Sequence, residues 1–206
     1  MIVKQKLPEL SLKEYWANWH AIPCDVLYRP LYDFLAQELK NNDIFVEVGG
    51  FLGKSSSYIA RRTTDLRKDV TIIVVDSLFG VGEPVYADVC GSNQAKIMLD
   101  NFEAVGIETR CHLLTMPSPQ AANVFADNSL GAVFIDGNHD YGPARADILA
   151  WWPKVKPGGY LCGHDYCATF PGVVRAVTEI FGGDVNKLPV QIVKADATFS
   201  VRKPSI

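Results

Sequence analysis

Residues 44–57 read Ile44-Phe-Val-Glu-Val-Gly-Gly-Phe-Leu-Gly-Lys-Ser-Ser-Ser57. The turn-forming triplet Asn41-Asn42-Asp43 precedes a short run of β-branched and aromatic residues, and a helical pattern opens near Ser55. The order is therefore strand, glycine turn, helix. Glycines at 49, 50 and 53 allow a tight turn and a close backbone approach to a ligand, while the helix start offers unpaired N–H groups. Such a loop is shaped to hold a nucleotide-like small molecule.

The residue order narrows the kind of nucleotide. A dinucleotide fingerprint would need its first glycine where Val48 stands, and no Gly-x-x-x-x-Gly-Lys-Ser/Thr phosphate loop can be aligned here. Glu47 ends the strand, where a carboxylate would repel phosphates and suit a ligand bearing an ammonium or sulfonium group. A plain glycine turn joining strand to helix is the alternative reading of these residues. Glu47-x-Gly49-x-x-x-Gly53-x-Ser55 resembles the first motif of class I S-adenosylmethionine-dependent methyltransferases. That resemblance implies that Glu47, Gly49, Gly50, Gly53 and Ser55 help to hold the cofactor.

The chain has 206 residues, 48% hydrophobic and 21% charged, which suits a single α/β domain with a sizeable core. A net charge of -3 provides no electrostatic footprint for nucleic acid, so the expected partner is a small molecule. No apolar run approaches a membrane span, and Met1 to Pro8 lacks the apolar core of a signal peptide, so a cytoplasmic location is expected. Five cysteines without a Cys-x-x-Cys pair read as reduced, buried thiols rather than a disulfide framework.

Two helices are expected within residues 1–43, packing on or capping the sheet. The first follows the capping-box spacing Ser11-Leu-Lys-Glu14, and the second runs from about Asp25 to Lys40. Trp16, Trp19, His20 and Tyr28 read as core, with a substrate-capping role as the rival. Residues 44–206 form the main domain. Thr71-Ile-Ile-Val-Val-Asp76 is a buried strand ending in an acid, and at the carboxyl end of a parallel strand Asp76 can accept both hydroxyl hydrogens of a ribose. Ser77 to Ser92 has no steady period and is a candidate lid. A helix from Asn93 to Val105, a strand from Thr109 to Thr115 and a helix after Met116-Pro-Ser-Pro119 follow. Ser118 reads as a helix cap that could also meet an adenine amino group.

Ala132-Val-Phe-Ile-Asp136 is another buried strand ending in an acid, followed by Gly137-Asn-His-Asp-Tyr141, a helix through Trp151-Trp152, a break at Lys156-Pro-Gly-Gly159 and the strand Tyr160-Leu-Cys-Gly-His-Asp165. Neighbouring parallel strands joined by a helical crossover bring their carboxyl ends together, so Asp136, His164 and Asp165 could converge on Mg²⁺ or a similar divalent cation. Ile-Asp-Gly-x-His-x-Tyr, Asp147, Trp151, Lys-Pro-Gly-Gly and Gly-His-Asp-Tyr166 resemble the class I O-methyltransferase branch that includes macrolide-sugar and aminocoumarin-sugar methyltransferases. The tail from Gly172 to Val177 and a final hairpin of about Val190 to Lys203 fit as well.

That resemblance implies a Rossmann-like, doubly wound, mostly parallel seven-stranded sheet in three α/β/α layers, closed by a C-terminal antiparallel hairpin. It implies methyl transfer from S-adenosylmethionine, with S-adenosylhomocysteine as product, to a small hydroxylated acceptor. Asp136 and Asp165 would bind a divalent metal, with Asp136 also near the cofactor, and His139 would be the base. His164 stands where related enzymes carry another acid. A homo-oligomer is compatible with this reading. The rivals are a metal-independent methyltransferase, a non-catalytic S-adenosylmethionine-binding module and, most distant, a nicotinamide dehydrogenase.

Overall fold

The computed structural model describes residues 19, 21–22, 26, 28–78, 93–182, 190–193 and 196–205. The first expected helix at Ser11, Trp16, His20 and all but the first two residues of the Ser77–Ser92 lid lie outside these. Among the described residues there are seven strands: β1 Asp43–Val48, β2 Val70–Asp76, β3 Cys111–Thr115, β4 Leu130–Ile135, β5 Val155–Gly163, β6 Val190–Val193 and β7 Thr198–Arg202. Their order across the sheet is β3-β2-β1-β4-β5-β7-β6. The first five run parallel, while β7 pairs antiparallel with both β5 and β6. Mostly parallel strands closed by an antiparallel pair is the expected α/β architecture.

The helices are α1 Arg29–Glu38, α2 Lys54–Asp65, α3 Gln94–Ala104, the single turn α4 Ser118–Ala121, α5 Tyr141–Trp151 and α6 Pro171–Phe181. Strand alternation sorts the core into two halves. Phe45, Ile72, Val74 and Phe134 face α1, α2 and α3, meeting Tyr32, Leu35, Ile59, Met98 and Phe102. Val46, Val48, Val133, Ile135 and Leu161 face the other way, against Ile148 and Trp151 of α5 and Val173 and Val177 of α6. With both faces covered, the central strands need near-continuous apolar runs, which is how they read in sequence.

Two boundaries differ from expectation. The second helix begins at Arg29 with Pro30 in its first turn, where a missing N–H costs no intrahelical hydrogen bond. Lys156-Pro-Gly-Gly159 is not a break before a strand but lies inside β5. Leu130 pairs with Val155 and Ala132 with Tyr160, so β5 bulges between them, with Gly158 at φ +77° taking the left-handed turn. Cys111 and Cys162 are buried thiols, and burial pushes both up from the ordinary thiol range. No described helix is long and apolar enough to cross a membrane.

Candidate active site

The carboxyl ends of β1, β2, β4 and β5 share one rim. After β1, Gly49 adopts φ +84° and its backbone lies so close to β4 that a Cβ there would fall 2.0 Å from the Asp136 carbonyl oxygen. Gly50 is pressed on β2 in the same way, with a Cβ position 2.2 Å from Val74 Cγ1. The glycines are therefore required by packing of the loop as well as by ligand access. Gly53, at φ +82°, occupies the N-cap of α2.

Asp76 ends β2 and binds that loop: Oδ2 accepts from Gly50 N at 3.1 Å and Phe51 N at 3.3 Å, and Oδ1 accepts from Leu78 N at 2.8 Å. Gln94 Nε2 approaches Oδ2 at 3.4 Å. The side chain thus stiffens the glycine turn and remains partly exposed at its mouth, which fits the sugar of a nucleoside.

Glu47 behaves otherwise than its sequence position suggested. Alternation puts it on the Phe45 face, beneath α1, where it is wholly buried. Tyr32 donates to Oε1 at 2.6 Å, Ser56 donates to Oε2, and Ser55 is a further partner. Burial pushes the carboxyl up to about 7, against the pull of those hydroxyl donors. Both oxygens are engaged by the protein's own hydroxyls, so direct contact with a cationic ligand is not what this geometry offers. Glu47 and Ser55 instead brace the loop from below.

At the other side of the rim, four ionisable groups meet. His139 Nε2 lies 2.8 Å from Asp165 Oδ2, and its ring rests on Phe170 at 4.3 Å between centroids. His164 Nδ1 lies 3.3 Å from Asp165 Oδ1 and 3.6 Å from Asp136 Oδ1. Asp136 Oδ2 accepts from the Tyr28 hydroxyl at 3.0 Å. Burial opposes charge on His164, but its bonds to Asp136 and Asp165 outweigh this and raise the imidazole to about 10. Burial likewise opposes ionisation of Asp165, yet the hydrogen bonds from His139 and His164 hold it well below the usual carboxylate range. Asp136 is raised by burial, with His164 offsetting part of the cost. His139 is raised chiefly by its hydrogen bond to Asp165.

One ligand atom from each of Asp136, His139 and Asp165 lies within 4.8 Å of the others, a spacing that would accommodate a divalent cation. The expected third ligand, His164, is not in that set. It sits instead between the two carboxylates, with its buried Nε2 lacking a hydrogen-bond partner. Asp165 adopts φ +60°, a conformation disfavoured for a residue with a Cβ, and strain of this kind collects at functional sites.

Ser118 is not a helix cap. Pro117 holds the N-cap position of α4, and Ser118 Oγ accepts from Trp151 Nε1 at 2.9 Å. Asp147 is buried and raised to about 6 by that burial, with Oδ1 unpartnered. Sequence reading left Tyr28 as core or a substrate cap and passed over Tyr32; Tyr28 at the N-cap of α1 and Tyr32 within it stand at i, i+4 spacing, and each donates to an acid, Asp136 just past β4 and Glu47 in β1. The spacing was visible; the partners were not.

A doubly wound sheet with a reversed last pair, a glycine turn after its first strand and acids ending the strands beside it define a class I nucleoside-dependent methyltransferase. The family model for a methyltransferase domain matches residues 46–166, and the chain belongs to that family. A protein of Acanthamoeba polyphaga mimivirus is 24% identical over 81% of this chain and 74% of its own length. Among solved structures, a protein of Corynebacterium glutamicum superposes with a TM-score of 0.67 at 16% identity, over 97% of this chain and 93% of the other. CalS11, described as a TDP-rhamnose 3'-O-methyltransferase, gives 0.63 at 16% identity over 95% and 87%. The O-methyltransferase NovP gives 0.64 at 18% identity over 86% and 80%. At these identities the structures speak for the fold, and the family assignment makes the chain an S-adenosylmethionine-dependent methyltransferase.

Proposed function

We propose that this enzyme methylates a hydroxyl oxygen of a small polar molecule, with Asp136 and Asp165 holding a divalent cation and His139 taking the proton. The observation that carries the reading is contact between the two halves of the rim: the glycine turn at Gly49 lies against the backbone of Asp136. A donor held by that turn and an acceptor held at the acids would be neighbours, and alignment of this kind supplies much of the rate enhancement in bimolecular transfer.

S-adenosylmethionine, when bound, supplies an electrophilic methyl group on a sulfonium sulfur. A divalent cation, when bound, would lower the pKa of a coordinated hydroxyl. Asp76 would hold the ribose hydroxyls and the backbone of residues 49–53 the amino-acid end. Asp165 accepts from His139 Nε2, which orients the ring and leaves Nδ1 as the nitrogen that can receive a proton. CalS11 and NovP, both described as O-methyltransferases, support oxygen as the acceptor atom, and CalS11, described as acting on TDP-rhamnose, supports a sugar-like hydroxylated compound as the acceptor class.

A second reading is favoured by His164. Its imidazole already lies between Asp136 and Asp165 and can supply the positive charge that would otherwise come from a metal. The two readings separate on one experiment: calorimetric titration of S-adenosylhomocysteine and assay against a panel of vicinal diols, with Mg²⁺ and after chelation, alongside Asp76→Ala. Binding lost by about tenfold or more in the variant supports the cofactor assignment. Turnover abolished by chelation supports the metal, and turnover indifferent to it favours His164. Absence of S-adenosylhomocysteine binding in the wild type would sink both.

A further inference from the structure

We infer that Tyr28 is a positioning residue that couples the cofactor turn to the acidic end of the site, so that filling either strengthens the other. The inference rests on the function proposed above. Tyr28 lies immediately before α1, is 5% exposed, and reaches the acidic end through its hydroxyl and Tyr32 through its ring. It donates to Asp136 Oδ2 at 3.0 Å, beyond the end of β4. Through its ring it also packs on Tyr32 at 5.0 Å; Tyr32 donates to Glu47 Oε1 at 2.6 Å, and Glu47 accepts from Ser56 in the first turn of α2, just after the glycine loop. Its ring packs on His164 at 4.9 Å and on Phe134 at 4.6 Å, so its orientation is set by the walls of the acidic pocket.

Two consequences follow for Asp136. With Oδ2 engaged by Tyr28, Oδ1 is the oxygen turned toward His164, so the carboxylate meets the pocket through one atom. Any shift of the first turn of α2 on cofactor binding is felt at that carboxylate through Ser56, Glu47, Tyr32 and Tyr28. Tyr32 repeats the arrangement one helical turn later, tying Glu47 to the same helix, so α1 grips both parallel strands at once. A packed, hydrogen-bonded connection of this kind is the physical basis of coupling between sites, and coupling is reciprocal between ligands.

The test uses the full chain and two probes that need no turnover. S-adenosylhomocysteine affinity is measured by calorimetry with and without Mn²⁺, and Mn²⁺ affinity by its paramagnetic resonance signal with and without S-adenosylhomocysteine, in wild type and Tyr28→Phe. The expected result is a change of about fivefold or more in each affinity caused by the other ligand in the wild type, equal in both directions. In Tyr28→Phe both probes still bind and the ratio falls to about one. Ser56→Ala, which cuts the connection at its other end and leaves the Asp136 bond in place, should also lower the ratio and guards against a folding defect in the first variant. A wild-type ratio of one, or an unchanged ratio in Tyr28→Phe, overturns the coupling and leaves the methyltransferase reading standing. Failure of the wild type to bind S-adenosylhomocysteine at all overturns both.

Discussion

Glu47→Gln isolates a cost that the wild-type fold carries in its core. The carboxyl is wholly buried and is raised by burial from 4.5 to about 7. A folded-state value above the unfolded one means that the protonated form is the one the fold favours. The associated stability is fully present below the unfolded value and is lost as pH rises through about 7. At about 1.4 kcal/mol per unit, the shift corresponds to roughly 3 kcal/mol between strongly acidic and mildly alkaline conditions, and to roughly 2 to 3 kcal/mol between about pH 5 and about pH 8. Glutamine keeps the shape and the acceptor for Tyr32 but cannot ionise. Denaturant unfolding of wild type and Glu47→Gln across that window gives two curves, and the other titrating groups cancel in their difference. The variant should gain on the wild type by roughly 2 to 3 kcal/mol as pH rises. Parallel curves would refute the assignment of a perturbed carboxyl to Glu47. Loss of S-adenosylhomocysteine binding in a fully folded variant would show that the negative charge is used by the ligand after all.

Gly49→Ala places a Cβ 2.0 Å from the Asp136 carbonyl at a φ of +84°, so a loss of about 3 kcal/mol or more is expected in thermal or denaturant unfolding. His139→Gln should lower kcat by about 10²- to 10⁴-fold while leaving S-adenosylhomocysteine affinity within about twofold, read from steady-state kinetics and calorimetry. Because His139 must be unprotonated to act and Asp165 raises its pKa, the wild-type rate should fall as pH drops through a value above the ordinary 6.5. Ser118→Ala removes the acceptor for Trp151 Nε1 and leaves that indole N–H unpaired; a loss of about 2 kcal/mol, or about 4 to 8 °C in Tm, is expected with cofactor affinity unchanged.

Local pattern settled much about this protein. Apolar runs end where strands end, so the acids Asp76, Asp136 and Asp165 could be placed at the rim from sequence, and the glycine spacing after Val48 announced the cofactor turn. The family came from the motifs those residues form, and the antiparallel tail came with the family resemblance. Tertiary structure decided what those acids touch. Glu47 looks like a ligand-facing residue until α1 covers its face of the sheet, and Ser118 looks like a cap until Trp151 of α5 arrives beside it. Tyr28 and Asp136 are 108 residues apart, and their bond exists only because β4 lies next to β1 under α1. His139 and His164 carry the same side chain on adjacent loops. The one that joins the acids as a potential ligand is His139, a choice visible only once the two loops are placed side by side. Strand and helix limits are encoded by neighbours in the chain, whereas hydrogen-bond partners across a sheet are encoded by packing between segments far apart in it.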